Sequence, residues 1–208
     1  KEHVLELESK VKDVLEALDG DLKGKYVPLS GMDEDTTKQL IEEQLLFKKG
    51  DTFSEFWPEG RGIFFNEAKT FLVWINEEDQ LKIISMEKNG NIKAIFDRLK
   101  KAMDIITAKF VFNAKFGYLT SCPSNIGSGQ QVSVQIKIPL ITKNKDKLKD
   151  LCDQYNIEAT SEGEGGLYNI SNRRKLGVTE FDAVKDVITG IKALIDAETK
   201  LPKKKGKK

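Results

Sequence analysis

Two apolar runs split by the five polar residues Asn76-Glu77-Glu78-Asp79-Gln80 set the first limit on this chain. The runs are Thr70-Phe71-Leu72-Val73-Trp74-Ile75 and Leu81 to Met86, rich in β-branched and aromatic residues. Such runs are strands, and a short polar break between them makes a hairpin with antiparallel pairing. Gly62-Ile63-Phe64-Phe65 is a third short apolar run just upstream. Val132 to Ile138 alternates apolar and polar with period two, the pattern of a strand with one wet face. A short strand is expected near Ile157, and Leu167-Tyr168-Asn169-Ile170 is the last one.

Helical spacing accounts for the segments between. Val4, Leu5, Leu7, Val11, Val14, Leu15 and Leu18 line one face of an amphipathic helix that Asp19-Gly20 ends. Lys25-Tyr26-Val27-Pro28-Leu29 reads as an extended connector, and Asp33 and Asp35 precede a second helix running through Leu46. A third helix spans about Ile92 to Thr107, with Ile95, Leu99, Met103 and Ile106 as its stripe. A charged helix covers Lys145 to Tyr155. A long one covers Thr179 to Thr199, with Thr179 as its cap and Phe181, Val184, Val187, Ile188, Ile191 and Leu194 as its buried stripe. The fold class is therefore α+β, an antiparallel β-sheet flanked by α-helices.

Composition narrows the function classes. A chain of 208 residues can bury a sizeable core without a disulfide or a metal staple. A net charge of +1 is not that of a basic nucleic-acid binder, so no specific nucleic-acid binding is expected. The charge is concentrated at the end, where Lys203 to Lys208 follow Pro202. That basic tail reads either as a solubilising end or as a contact for an acidic surface. Cys122 and Cys152 make no disulfide framework and point to a reducing compartment. No stretch approaches the roughly 18 apolar residues of a membrane helix, so no membrane insertion is expected. The first residues are charged, without the apolar core of a signal peptide, and no Met opens the chain, so the expectation is of a start left by removal or trimming. His3 is the one histidine, which argues against a His-based metal site or a Ser-His-Asp triad. Neither a metal nor a cofactor is expected. Gly163 to Gly166 lacks the Gly-Lys-Ser/Thr ending of a Walker loop.

Three blocks say more than composition. The first is Phe56-Trp57-Pro58-Glu59-Gly60-Arg61-Gly62-Ile63-Phe64, continued through Lys69 to Asp79. The second is Cys122-Pro123-Ser124-Asn125-Ile126-Gly127, and the third runs from Gly165-Gly166-Leu167-Tyr168 to Gly177. In order and spacing they resemble the phosphagen (guanidino) kinases, arginine and creatine kinase among them, and Asp19 to Tyr26 resembles that family's entry into its catalytic domain. The resemblance runs from about Leu7 to Leu201. It implies a C-terminal catalytic domain over residues 1–201, with the helix of residues 1–18 as a lead-in, a glutamine-synthetase-like antiparallel sheet, and a tail at 202–208. The family's helical N-terminal domain is expected to be absent.

The family moves the γ-phosphoryl of ATP to a guanidinium nitrogen, which requires alignment and positive charge around the oxygens. The resemblance places Glu78 and Glu162 as carboxylates for the guanidinium and Cys122 as the reactive cysteine. On the nucleotide side it places Lys82 and Gln131 where the family carries arginines, and Gln44 and Gln135 where it carries histidines. Lysine keeps the charge and loses the planar fork. Glutamine carries no charge. Arg61, Arg173 and Arg174 read as structural. One arginine finger is worth about 10³–10⁵ in rate, or about 4–7 kcal/mol. That arithmetic leads to the expectation of a catalytically inactive scaffold subunit in a larger intracellular assembly, cytoskeletal or ciliary, with a mitochondrial complex as the alternative. Its partners would be other subunits, met through helix 4–18 or the old cleft, with the tail on an acidic surface. Two rivals stand beside it: an active ATP:guanidino phosphotransferase completed by another chain, and a module that binds guanidinium or arginine.

Overall fold

The computed structural model describes residues 2–47, 57–88, 90–106 and 110–202. They fall into two compact units, residues 1–109 and 110–208. Among the described residues no helix is long and apolar enough to cross a membrane.

The first unit is built on a four-stranded antiparallel sheet of β1 (Gly24–Pro28), β2 (Gly62–Asn66), β3 (Phe71–Ile75) and β4 (Leu81–Ser85), in that order. Its central strands are continuous apolar runs because both faces of the sheet are covered. Phe64, Phe71, Val73 and Ile75 point to one side, where they meet Val11, Leu15 and Leu18 and also Ala102 and Ile106. Those residues come from α1 (Glu2–Glu16), α3 (Ile92–Ile105) and their ends. Ile63, Phe65 and Leu72 point to the other side, against Leu40, Leu45, Leu46 and Phe47. Leu40 belongs to α2 (Glu34–Glu42), capped by Asp33, whose carboxylate accepts from the Thr36 amide at 2.8 Å. A strand buried on both faces loses its period-two pattern.

Two expectations need correction here. Lys25 to Leu29 is no connector: its first four residues, with Gly24, form β1, paired with β2 from Gly24↔Asn66 to Pro28↔Gly62. The second helix stops at Glu42 rather than Leu46. Gln44 takes a left-handed φ of 60°, and the amides of Leu45 and Leu46 turn back onto the Leu40 carbonyl at 2.9 and 3.1 Å. Those bonds satisfy the helix end and send Leu45 and Leu46 into the core. Thr107, the expected end of the third helix, lies outside the described residues.

One buried amide ties this unit together. The Asn66 side chain donates to the Asp21 carbonyl at 2.8 Å and the Thr70 hydroxyl at 3.1 Å. Its oxygen accepts from the Thr70 and Phe71 amides at 2.9 and 3.0 Å. Its full hydrogen-bonding capacity is thus used, which is what makes so buried an amide tolerable.

The second unit holds a two-stranded hairpin, β5 (Phe112–Asn113) with β6 (Gly117–Tyr118), and a three-stranded antiparallel sheet. That sheet runs β7 (Ser133–Lys137), β9 (Leu167–Asn172), β8 (Ile157–Ser161), with β9 in the middle. One face packs on α4 (Lys145–Gln154) and α5 (Glu180–Thr199), around Ile170, Ile157, Leu148, Val187 and Leu194. Thr179 and Asp182 form a reciprocal capping box at the start of α5. At its other end the Glu198 carboxylate accepts from the Leu140 and Ile141 amides, the latter at 2.7 Å. The buried stripe of α5 is Ala183, Val187, Gly190 and Leu194, and Phe181 is 74% exposed. At 100° per residue, Phe181 lies on roughly the opposite side from Ala183. The expected stripe included it because the true one runs through a glycine.

Candidate functional site

In the first unit the candidate residues cluster on the β3–β4 hairpin. Asn76 opens the turn with φ 53°, and its amide donates to the Gln80 carbonyl at 2.9 Å. Its side chain donates to the carbonyls of Gly60 at 2.7 Å and Val4 at 3.1 Å. A buried asparagine therefore anchors the turn to two other segments. Glu78 stands exposed on that anchored turn. Lys82 pairs in register with Trp74 on the neighbouring strand. Its ammonium sits 4.8 Å from the Trp74 ring centroid and 4.0 Å from a Glu77 carboxylate oxygen.

Trp74 joins this hairpin to the end of α2. Its indole N–H donates to the Leu45 carbonyl at 2.8 Å, one residue past Gln44. Phe47 meets Trp57 edge to face and Trp74 at a tilt of 60°, and the Arg61 guanidinium lies 5.4 Å from the Trp57 ring centroid. Burial pulls the Arg61 pKa below its ordinary value. Gln44 and Lys82, far apart in sequence, are thus brought to one corner of an aromatic cluster with two cations on its rings. The sequence reading missed this cluster. Its signal is the strand register that sets Lys82 across from Trp74.

In the second unit Cys122 precedes a single 3-10 turn, Pro123–Asn125, and its sulfur lies 3.0 Å from the Ser124 hydroxyl. The Thr120 hydroxyl donates to the Cys122 carbonyl at 2.7 Å. The thiol is half-buried, whereas Cys152 is buried in the core and burial pushes its pKa up. The cysteine loop is fastened to the third sequence block. The Lys175 ammonium donates to the Asn125 side chain at 2.7 Å, and the Lys175 carbonyl accepts from the Ser128 amide at 2.9 Å. A Cβ on Gly127 would lie 2.1 Å from that carbonyl oxygen, so only glycine fits there.

Gln131 is exposed just before β7. Gln135 is exposed on β7, in register with Asn169 of β9, which in turn pairs with Thr160 of β8. Glu162 is exposed at the end of β8, where its amide closes the β8–β9 turn onto the Leu167 carbonyl at 3.0 Å. Asn172 organises this end of the sheet, accepting from the Val132 amide at 2.8 Å and donating to the Arg174 carbonyl at 2.8 Å. Arg173 pairs with Asp153 at 2.6 Å and Arg174 with Asp186 at 2.7 Å. Among the described residues, no group of three His, Cys, Asp or Glu side chains is placed to hold a metal ion.

The family model for the C-terminal catalytic domain of ATP:guanido phosphotransferases matches residues 6–201, and the chain belongs to that family. It is 50% identical to the arginine kinase of Anthopleura japonica over 99% of this chain and 31% of that protein. It is 46% identical to arginine kinase 1 of Drosophila melanogaster over 94% of this chain and 59% of that protein. Among solved structures, the duplicated taurocyamine kinase of Schistosoma mansoni with bound transition-state-analogue components superposes with a TM-score of 0.90. It is 39% identical, over 95% of this chain and 30% of that one. A lombricine kinase superposes with a TM-score of 0.84 at 34% identity, over 95% of this chain and 60% of that one. The chain thus spans three fifths or less of the length of these relatives.

These relatives overturn the expectation of a catalytically inactive scaffold. They are named as kinases, at up to 50% identity along nearly the whole chain, and none points to a structural subunit. The inactive reading weighted the substituted positions Gln44, Lys82, Gln131 and Gln135, a loop arginine without counterpart between Ala159 and Glu164, and the expected absence of the N-terminal domain above the agreement of everything around them. Lys82 retains a cation there.

Proposed function

We propose that this chain is the catalytic domain of an arginine-kinase-like ATP:guanidino phosphotransferase. The observation that carries the reading is the 50% identity to an arginine kinase over 99% of the chain. In this reading Glu78, Glu162 and Cys122 keep the guanidinium-side roles that the family resemblance gives them. Lys82 meets the phosphates as a point charge rather than a fork. The divalent ion enters with the nucleotide, as Mg-ATP. The remaining positive charge on the phosphates comes from another chain or from protein beyond these 208 residues. Phosphoryl transfer makes few covalent demands on a protein, so supplying that charge from outside is chemically sufficient.

The test is to incubate the purified chain, with an arginine-kinase N-terminal domain added to supply the missing charge, with Mg-ATP and L-arginine and follow phosphoarginine by phosphorus NMR. Phosphoarginine is expected to accumulate, and Glu78→Gln is expected to slow it by roughly 10²-fold or more, the scale of a lost charged contact to the transition state. No product with arginine, taurocyamine or lombricine, with and without an added arginine-kinase N-terminal domain, would overturn the reading.

A further inference from the structure

α3 carries a second apolar face beside the one that enters the core. α3 packs on β4, an edge strand of the first unit's sheet, and its Ala102 and cap residue Ile106 enter the core. Beside that buried face runs a second apolar stripe of Ile92, Phe96, Leu99 and Met103, spaced as one helix face. Phe96 is 58% exposed, Ile92 49% and Met103 39%. The expected stripe placed Met103 with the core, whereas its neighbour Ala102 is the residue that faces inward. Next to the exposed stripe, about 100° around the helix, lies a charged flank of Lys93, Asp97, Lys100 and Asp104. Lys93 pairs with Asp97 along the helix, and Lys100 with Asp104 at 2.6 Å.

The order of those charges selects an occupant. Lys-Asp-Lys-Asp has no net charge, so it offers little to an acidic or a basic protein. It is complementary to itself when reversed. A two-fold axis passing between Arg98 and Leu99 sets Lys93 opposite Asp104 of a second copy, and Asp97 opposite Lys100 of that copy. In that arrangement both charged flanks lie on the same side of the helix pair, and the exposed stripes face each other with Leu99 near the axis. A two-fold parallel pairing would carry the two charged flanks to opposite sides of the helix pair, where they do not meet. We propose that α3 is a self-association surface on which a second copy of this chain lays its own α3 antiparallel.

The helix of 14 residues is about 21 Å long, so a single helix pair buries well under the roughly 1,600 Å² of a standard stable interface. The dimer is therefore weak, forming at micromolar concentrations or above. It is isologous and closed, because the same patch is used on both copies.

Sedimentation equilibrium of the full chain, from about 1 μM to about 1 mM, reads the association directly. A concentration-dependent dimer is expected. Phe96→Ser, at an exposed position, should leave the circular dichroism and melting curve unchanged and weaken the dimer by roughly tenfold or more. Two charge variants settle the register. Lys93→Glu with Lys100→Glu makes the flank wholly acidic, and Asp97→Lys with Asp104→Lys makes it wholly basic. Each alone should stay monomeric, and an equimolar mixture should form a heterodimer that weakens as salt is raised. A wild-type chain that is monomeric across the whole range overturns the proposal. So does a dimer that survives Phe96→Ser, or one indifferent to both charge variants.

Discussion

Tyr26 shows how one side chain couples a helix to a sheet. It projects from β1, and its hydroxyl donates to the Glu8 carboxylate on α1. A Cβ on Gly62 of β2 would lie 2.0 Å from that hydroxyl oxygen, so the ring occupies the space a side chain there would need. Burial, then the bond to Glu8, pushes the Tyr26 pKa well above its ordinary 10.0. The folded chain therefore holds the phenolic proton more tightly than the unfolded chain. The resulting stability is fully present below pH 10.0 and is lost as pH rises beyond it. Thermal melts taken from neutral pH upward should show a midpoint that falls once pH 10.0 is passed. Tyr26→Phe should lower the neutral midpoint and flatten the alkaline fall; an equally steep fall in that variant would place the titration elsewhere.

At the scale of elements, what the sequence discloses depends on how local each element's causes are. β2, β3, β4, α4 and α5 announce themselves by apolar runs, periodicity or a Thr179 cap, and the structure places them close to those limits. β1 does not, because its partner β2 lies far along the chain and Pro28 mimics the end of a connector. β5 and β6 are two residues each, too short for a pattern, and the sequence shows only a strand-like run at Tyr118-Leu119-Thr120 that begins on the last residue of β6. The path of α5 over β8 turns on Gly190, where a Cβ would lie 2.5 Å from the Ile157 side chain. This contact lets the helix backbone approach the sheet closely, and it was invisible to a search for apolar stripes. Gly190→Leu should overpack this layer and cost roughly 1–3 kcal/mol in urea denaturation. Amide exchange should rise first in α5 and β8, and a neutral substitution would show that the layer has slack.

At the scale of the whole molecule, each unit carries candidate residues of its own. Glu78 and Lys82 belong to residues 1–109, and Cys122, Gln131, Gln135 and Glu162 to residues 110–208. Long, specific blocks made the family legible from sequence alone. The expectation of an inactive scaffold was argued from a few charges rather than from the agreement of the whole chain. The aromatic corner under Lys82 was illegible because it depends on strand register. If the chain binds both substrates, each should stabilise the fold by mass action, by about 2.7 kcal/mol at a hundredfold excess over its dissociation constant. Differential scanning fluorimetry should therefore show separate upward shifts with arginine and with Mg-ADP. Glu78→Gln should remove the arginine shift while leaving the nucleotide shift in place. Loss of both shifts in that variant would mean that Glu78 supports the fold rather than the guanidinium.

The seat of Gly127 against the Lys175 carbonyl constrains how such a domain can be rearranged. A cysteine loop seated against a carbonyl on a distant stretch of chain cannot be inherited alone. Transplanted onto another scaffold without residues 171–177, it would keep its letters and lose its shape. Protein engineers who wish to move the loop, and natural recombination that happens to cut between the two stretches, face the same requirement: both must travel together, or neither works.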